Sequence, residues 1–92
     1  MYNKKYILEK IEEFNGYNPI YFGVEGRIAY PAYFNVGERG WFLFIEDCYG
    51  YELAHRIHTS IVQDVKYTRG NQIIVTTENT RFTFTAKADF GR

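Results

Sequence analysis

The side chains best suited to catalysis or metal binding in this sequence are Cys48, His55 and His58. A cysteine thiolate beside a histidine base performs nucleophilic catalysis, and the same two side-chain types bind zinc. If residues 52–58 were helical, the two histidines would share a face, whereas on a strand they would face opposite sides. The spacing matches no zinc pattern, and a lone cysteine is commonly a small apolar residue. We therefore expect no enzyme, metal or cofactor, and keep these three residues as the weak candidates.

A second group of residues could bind single-stranded nucleic acid. The segment Arg39–Ile45 resembles the basic, glycine-bearing aromatic strand of RRM and cold-shock domains, whose rings stack on bases. Phe42 stands where those domains carry a small residue. Eleven basic and eleven acidic residues leave no net charge, whereas neutralising many phosphates requires a basic excess. The candidate residues for this function are Arg27, Arg39, Trp41, Phe42, Phe44 and Arg69.

The third feature is the number of aromatic residues, since nine Tyr, eight Phe and one Trp occur among 92 residues. So many rings exceed what the core of a small domain should need, so we expect some at the surface. Tyr and Trp are enriched in protein interfaces because they bury a large area at low entropic cost. The alternative is that the rings close the ends of the core. The expected protein-binding residues are Tyr30, Tyr33, Trp41, Tyr49 and Tyr51.

Length and composition predict one domain over residues 1–92, because 46% of the residues are hydrophobic and 24% are charged. The single cysteine cannot form an internal disulfide, which favours a reducing compartment, the cytoplasm. The longest apolar run, Trp41–Ile45, is too short to span a bilayer, so we expect no membrane association. A net charge of zero favours self-association.

The apolar spacing predicts that a helix followed by a sheet positions these residues. Apolar residues recur at helical spacing from Ile7 to Phe14, and Asn15-Gly16 provides a stop signal. We therefore predict a helix over residues 4–14, with Asn3 as its cap. A helix this short is marginal in water, so it should pack its apolar side on the sheet.

The remaining chain has the two-residue apolar repeat of strands from about residue 20 to residue 86. Residues 20–30 fit one bent strand or two, and the Gly-bearing loop 37–40 predicts a hairpin. Residues 52–58 fit either a helical turn or a strand, and the tail 89–92 should fray. The clearest strands are residues 61–67, 72–77 and 80–86. The prediction is an α+β domain, with the helix on a five- or six-stranded antiparallel meander or partly closed barrel.

The segments His58–Val62 and Ile74–Phe84 resemble the C-terminal third of small uncharacterised accessory proteins from Gram-positive bacteria and their phages. The resemblance implies an accessory protein of a phage or mobile element. Some such proteins bind and block bacterial defence enzymes, including CRISPR nucleases. No residue of a functional motif carries over.

These observations give three hypotheses. The first is a non-enzymatic protein-binding module, which the resemblance extends to an inhibitor of a host defence enzyme. The second is a nucleic-acid-binding β domain that uses strand aromatics. The third is a small metal or Cys–His protein. A homodimer formed through an uncovered strand edge is a related expectation.

Overall fold

The computed structural model describes residues 4–87, with the exception of the Ala32 side chain. Within this range there are six strands: β1 (Tyr6–Glu13), β2 (Ile28–Tyr33), β3 (Arg39–Glu46), β4 (Glu52–Tyr67), β5 (Gln72–Thr77) and β6 (Thr80–Ala86). Each strand pairs antiparallel with the next, and β6 pairs with β1, so the sheet closes into a barrel. One turn of 3-10 helix, Pro19–Tyr21, lies in the connection between β1 and β2. Within the described residues, no helix is long and apolar enough to cross a membrane.

The predicted α+β class and the predicted helix over residues 4–14 are wrong, because this segment forms β1. A bulge between Leu8 and Lys10 shifts the strand by one residue, so that Leu8 and Ile11 both pack against the core. The bulge thereby reproduces a spacing of three that is typical of a helix. The flanking charges also oppose a helix dipole, with Lys5 at its start and Glu13 at its end. The proposed cap, Asn3, and the tail 89–92 lie outside the described residues.

Four phenylalanines from two strands form the centre of the core. Phe42 and Phe44 of β3 and Phe82 and Phe84 of β6 have no exposed area. The Phe42 ring lies 5.2–5.3 Å from the other three ring centroids, at interplanar angles of 66–82°. Edge-to-face pairs of this kind contribute about 0.5–1.5 kcal/mol each beyond the area they bury. The ring cluster therefore joins β3 to β6 across the inside of the barrel.

Strands β4 and β1 pair unequally with their two neighbours. The first part of β4, Glu52–Ile61, pairs with β3, and the second part, Val62–Tyr67, pairs with β5. The segment 52–58, which fits either a helix or a strand by its sequence, is thus part of β4. β1 pairs with β6 at seven residues but with β2 only at Tyr6 and Ile7. The β1–β2 pairing that closes the barrel is therefore short, with only two paired residues on β1.

The connection between β1 and β2 occupies part of the range in which a strand is predicted. Strand β2 begins only at Ile28, so the prediction of a strand from residue 20 is wrong. Gly23 and Gly26 have φ angles of +71° and +93°, a backbone region that interrupts a strand and that glycine adopts readily. Val24 is buried in the core, and the Tyr21 ring meets Phe82 edge-to-face at 5.5 Å. The connection is thus fastened to the barrel by its own side chains.

Candidate functional site

Burial does not account for the aromatic residues of this chain. Of the sixteen described, four are buried and five are partly buried. The seven exposed rings belong to Phe14, Tyr17, Phe22, Tyr33, Tyr49, Tyr51 and Tyr67. Isolated exposed rings are ordinary in proteins, so what matters is whether several of them lie together.

Three of the five predicted protein-binding residues lie on one outer face of the barrel. In the β2–β3 pairing, Tyr30 lies opposite Leu43, and Tyr33 lies opposite Trp41. Because Phe42 points into the core, Trp41 and Leu43 on either side of it point outward. Only Tyr33 in this group is exposed, with 39% of its surface accessible, and the other side chains are partly buried.

Contacts within the chain already engage this outer face. The guanidinium carbon of Arg56 lies 4.6 Å from the centre of a Trp41 ring, a cation–π geometry. The Tyr33 hydroxyl donates a hydrogen bond of 2.6 Å to Glu38 and accepts one of 2.8 Å from Asn35. The bond to Glu38 raises the pKa of Tyr33, because it stabilises the protonated phenol. Free aromatic area on this face is therefore small.

The other two predicted residues, Tyr49 and Tyr51, lie in the turn between β3 and β4. They are 83% and 72% exposed. The Asp47 carboxylate accepts hydrogen bonds from both of their backbone N–H groups, at 2.8 and 3.0 Å, and fixes the turn. This turn follows the end of β3, whereas Trp41 lies near the start of that strand. The structure therefore separates these two tyrosines from the other three residues.

The candidates for nucleic-acid binding do not share a surface. Phe42 and Phe44 lie inside the barrel, where no base can reach them. Trp41 is covered in part by Arg56. The Arg27 guanidinium lies over Phe44, at 5.2 Å, and Arg39 donates to the Thr59 carbonyl at 2.9 Å. Arg69 lies in the separate turn between β4 and β5. The three predicted stacking residues therefore offer no fully exposed ring to a base.

The two histidines face opposite sides of β4. His55 lies on the inner side, where it packs against Phe44 at 5.9 Å and contacts Arg27 at 3.4 Å. His58 lies on the outer side, opposite Trp41. Cys48 is exposed in the turn after β3. Across residues 4–87, no three or more His, Cys, Asp or Glu side chains are grouped so that they could hold a metal ion.

Four exposed apolar side chains occur within nine residues on the connection between β1 and β2, and the Arg81 guanidinium lies 5.4 Å from the ring of one of them, Phe14. We call Phe14, Tyr17, Ile20 and Phe22 the β1–β2 patch. Their exposed fractions are 46%, 69%, 52% and 78%. The sequence-based prediction missed this patch, because it placed Phe14 on the buried side of a helix and the other members before or within a strand. The turn residues Asn18 and Pro19 were the signal for a loop in this region.

Hydrogen bonds hold the backbone beneath the β1–β2 patch. The Asn18 side chain accepts from the Ile20 N–H at 3.1 Å and caps the 3-10 turn. The Glu13 carboxylate accepts from the Asn18 N–H at 2.7 Å. In the β5–β6 turn, the backbone carbonyl of Asn79 accepts a hydrogen bond from the Phe14 N–H at 2.9 Å. The Asn79 side-chain oxygen accepts one from the Asn15 side chain at 2.7 Å. The patch is thus displayed on a fixed segment, so that ordering it would cost little entropy on binding.

Two carboxylates border a groove in this region. The groove runs between the rings of Tyr17, Tyr21 and Phe22, and Glu13 and Glu25 lie along it. Glu25 accepts a hydrogen bond of 2.8 Å from the backbone N–H of Ile11 in β1. Among the described residues, neither glutamate forms an ion pair with a Lys or Arg. The groove therefore combines aromatic faces with uncompensated negative charge.

Comparison of the chain with protein-family models, curated proteins and solved structures found no match.

Proposed function

We propose that this chain is a non-enzymatic protein-binding module and that the β1–β2 patch is its contact surface. The observation that carries the proposal is the exposure of four large apolar side chains within nine residues. Side-chain hydrogen bonds fix the backbone of this segment at Asn18 and Ile20. Exposed apolar patches mark interaction sites, and the dominant residues of interfaces are commonly aromatic anchors. The sequence-based hypothesis of a protein-binding module is kept, but its surface moves from the outer face of β2 and β3 to this connection.

The groove beside the patch indicates the chemistry of the partner. Aromatic faces attract Lys and Arg side chains through cation–π contacts, and carboxylates bind the same groups by charge-assisted hydrogen bonds. Glu13 and Glu25 would repel phosphate groups, which argues against nucleic acid and anionic lipid at this site. The partner that fits is a protein with a basic border around an apolar depression.

The inhibitor role follows from the resemblance to phage accessory proteins and stays a prediction. An inhibitor that acts by covering a surface of its target needs a contact patch and no catalytic residues. The cytoplasmic location expected from the single cysteine also stays a prediction.

Selection from a random peptide library tests the proposal without knowledge of the partner. The immobilised chain should enrich peptides that combine Arg or Lys with aromatic or aliphatic residues. Chemical-shift mapping with a selected peptide should place the largest changes at Tyr17, Ile20 and Phe22. The variant Y17S/F22S should lose binding by about tenfold or more, because it removes two apolar anchors.

The matched control is Y49S/Y51S, which removes two comparably exposed tyrosines from a different turn. It should bind the selected peptides as tightly as the unmodified chain. A selection that enriches no peptide would refute the proposal, as would peptides that bind both double variants equally. Steeply salt-dependent binding to a single-stranded oligonucleotide, without any peptide binding, would favour the nucleic-acid alternative instead.

A further inference from the structure

One edge of β4 is open over its first half. β5 pairs with β4 only from Val62 onward, so among the strands of residues 4–87 the segment 52–60 has β3 on one side and no partner on the other. Ala54, His55 and Arg56 are exposed in succession, and successive residues face opposite sides of a strand. The missing second partner makes this part of β4 an edge, and backbone N–H and C=O groups on an open edge can pair with another chain.

Because Leu53 and Ile57 pack against the core, strand alternation places Glu52, Ala54 and Arg56 on the outer face of this edge. An acidic residue precedes the small Ala54 by two positions and a basic residue follows it by two, so the segment is complementary to an antiparallel copy of itself. If two copies of the strand pair antiparallel with Ala54 opposite Ala54, Glu52 of each copy lies opposite Arg56 of the other. Opposite charges in cross-strand positions stabilise a sheet, and two methyl side chains fit at the two-fold axis.

The structure leaves both charges without an ion-pair partner among the described residues. Glu52 lies opposite Glu46 of β3, and like charges in directly opposed positions are unfavourable. Lys5 compensates Glu46 at 3.5 Å, but no basic side chain reaches Glu52. Arg56 stacks on Trp41 and has no carboxylate within ion-pair distance. A second copy of the strand would supply both missing partners.

We propose that two copies of this chain form a dimer through the first half of β4, in the register that places Glu52 opposite Arg56 of the second copy. Other registers lack this complementarity. A two-fold axis at Arg56 brings two guanidinium groups together, and an axis at His55 leaves Arg56 opposite Ala54. The dimer would join the β2–β3–β4 sheets of both copies into one continuous sheet. Ile20 of the β1–β2 patch lines a groove with His58, Thr59 and Ser60, beyond the Glu52–Arg56 segment that carries the register.

Charge exchange tests both the contact and its register. E52R or R56E alone replaces two attractive pairs by two repulsive ones, and should raise the dimer dissociation constant by about tenfold or more. Mixing E52R with R56E should restore association as a heterodimer, because each Arg then faces a Glu. Sedimentation equilibrium with one partner carrying a dye measures all three cases. E9R and K66E are the matched controls, since they make the same charge changes at exposed positions away from this edge.

The proposal requires that the unmodified chain and both controls dimerise alike, that each single variant dimerises about tenfold or more weakly, and that the mixture of the two variants associates again. A chain that stays monomeric at millimolar concentration would overturn the dimer. A dimer that both single variants form as tightly as the unmodified chain would overturn this edge. A mixture that fails to associate, with both variants folded by circular dichroism, would overturn the register.

Discussion

At Gly40, the first inward-facing position of β3, there is no room for a side chain. A Cβ atom there would lie 2.6 Å from the Phe34 ring and 2.7 Å from the Tyr33 carbonyl oxygen. The second contact is with backbone, so strand β2 itself would have to move. By its sequence Gly40 belongs to a Gly-Glu-Arg-Gly loop, where turn formation alone would explain a glycine. Its role is to let β2 and β3 approach closely at the hairpin.

We expect G40A to lower the free energy of unfolding by about 1–3 kcal/mol, because added atoms in a tightly packed site force the backbone to shift. G70A is the control, since a Cβ at Gly70 meets only the Thr68 hydroxyl, at 3.8 Å, and the backbone there is unstrained. This change should be neutral or stabilise by about 0.4–1 kcal/mol. Urea unfolding of the three proteins measures the difference. Equal stability of G40A and G70A would show that the site relaxes freely.

At the scale of single elements, local pattern predicts some strands and fails for others. The predicted strands at residues 72–77 and 80–86 match β5 and β6, because a strict two-residue repeat such as Phe82 and Phe84 reflects one buried face. The predicted strand 61–67 is only the second part of β4, which begins at Glu52. β1 is predicted as a helix, because its bulge imitates helical spacing and its pairing with β6 is not visible locally. An element whose stability comes from distant partners cannot be identified by its own periodicity.

The pairing between β1 and β2 should be the first part of the barrel to open. It consists of two paired residues, extended by bonds from the Leu8 N–H to the Arg27 carbonyl at 2.9 Å and from the Gly26 N–H to the Leu8 carbonyl at 2.7 Å. We expect the Leu8 and Gly26 amides to exchange with solvent by local opening, about tenfold or more faster than the amides of β6, which is paired on both sides. Native-state hydrogen exchange measures this. Equal opening free energies for both groups would mean that the barrel opens as one unit.

At the scale of the whole molecule, the excess of rings is readable from composition, but their placement is not. Tyr30, Tyr33 and Trp41 come together only because β2 and β3 pair in a particular register. The β1–β2 patch exists because Tyr21 and Val24 turn inward while their neighbours stay outside, and this division depends on contacts with Phe82 and the rest of the core. The sequence thus indicates that a contact surface should exist, while the fold decides which rings form it.

Site-specific photo-crosslinking tests most directly whether the β1–β2 patch is the contact surface. A photoreactive phenylalanine would replace Phe22 in one protein and Tyr67 in another, since these rings are 78% and 73% exposed. Both proteins would be expressed and irradiated in cells of the organism that encodes the chain. We predict a discrete protein adduct from position 22 that is absent at position 67 and that the additional change Y17S weakens. No adduct at position 22, or the same adducts from both positions, would contradict the account.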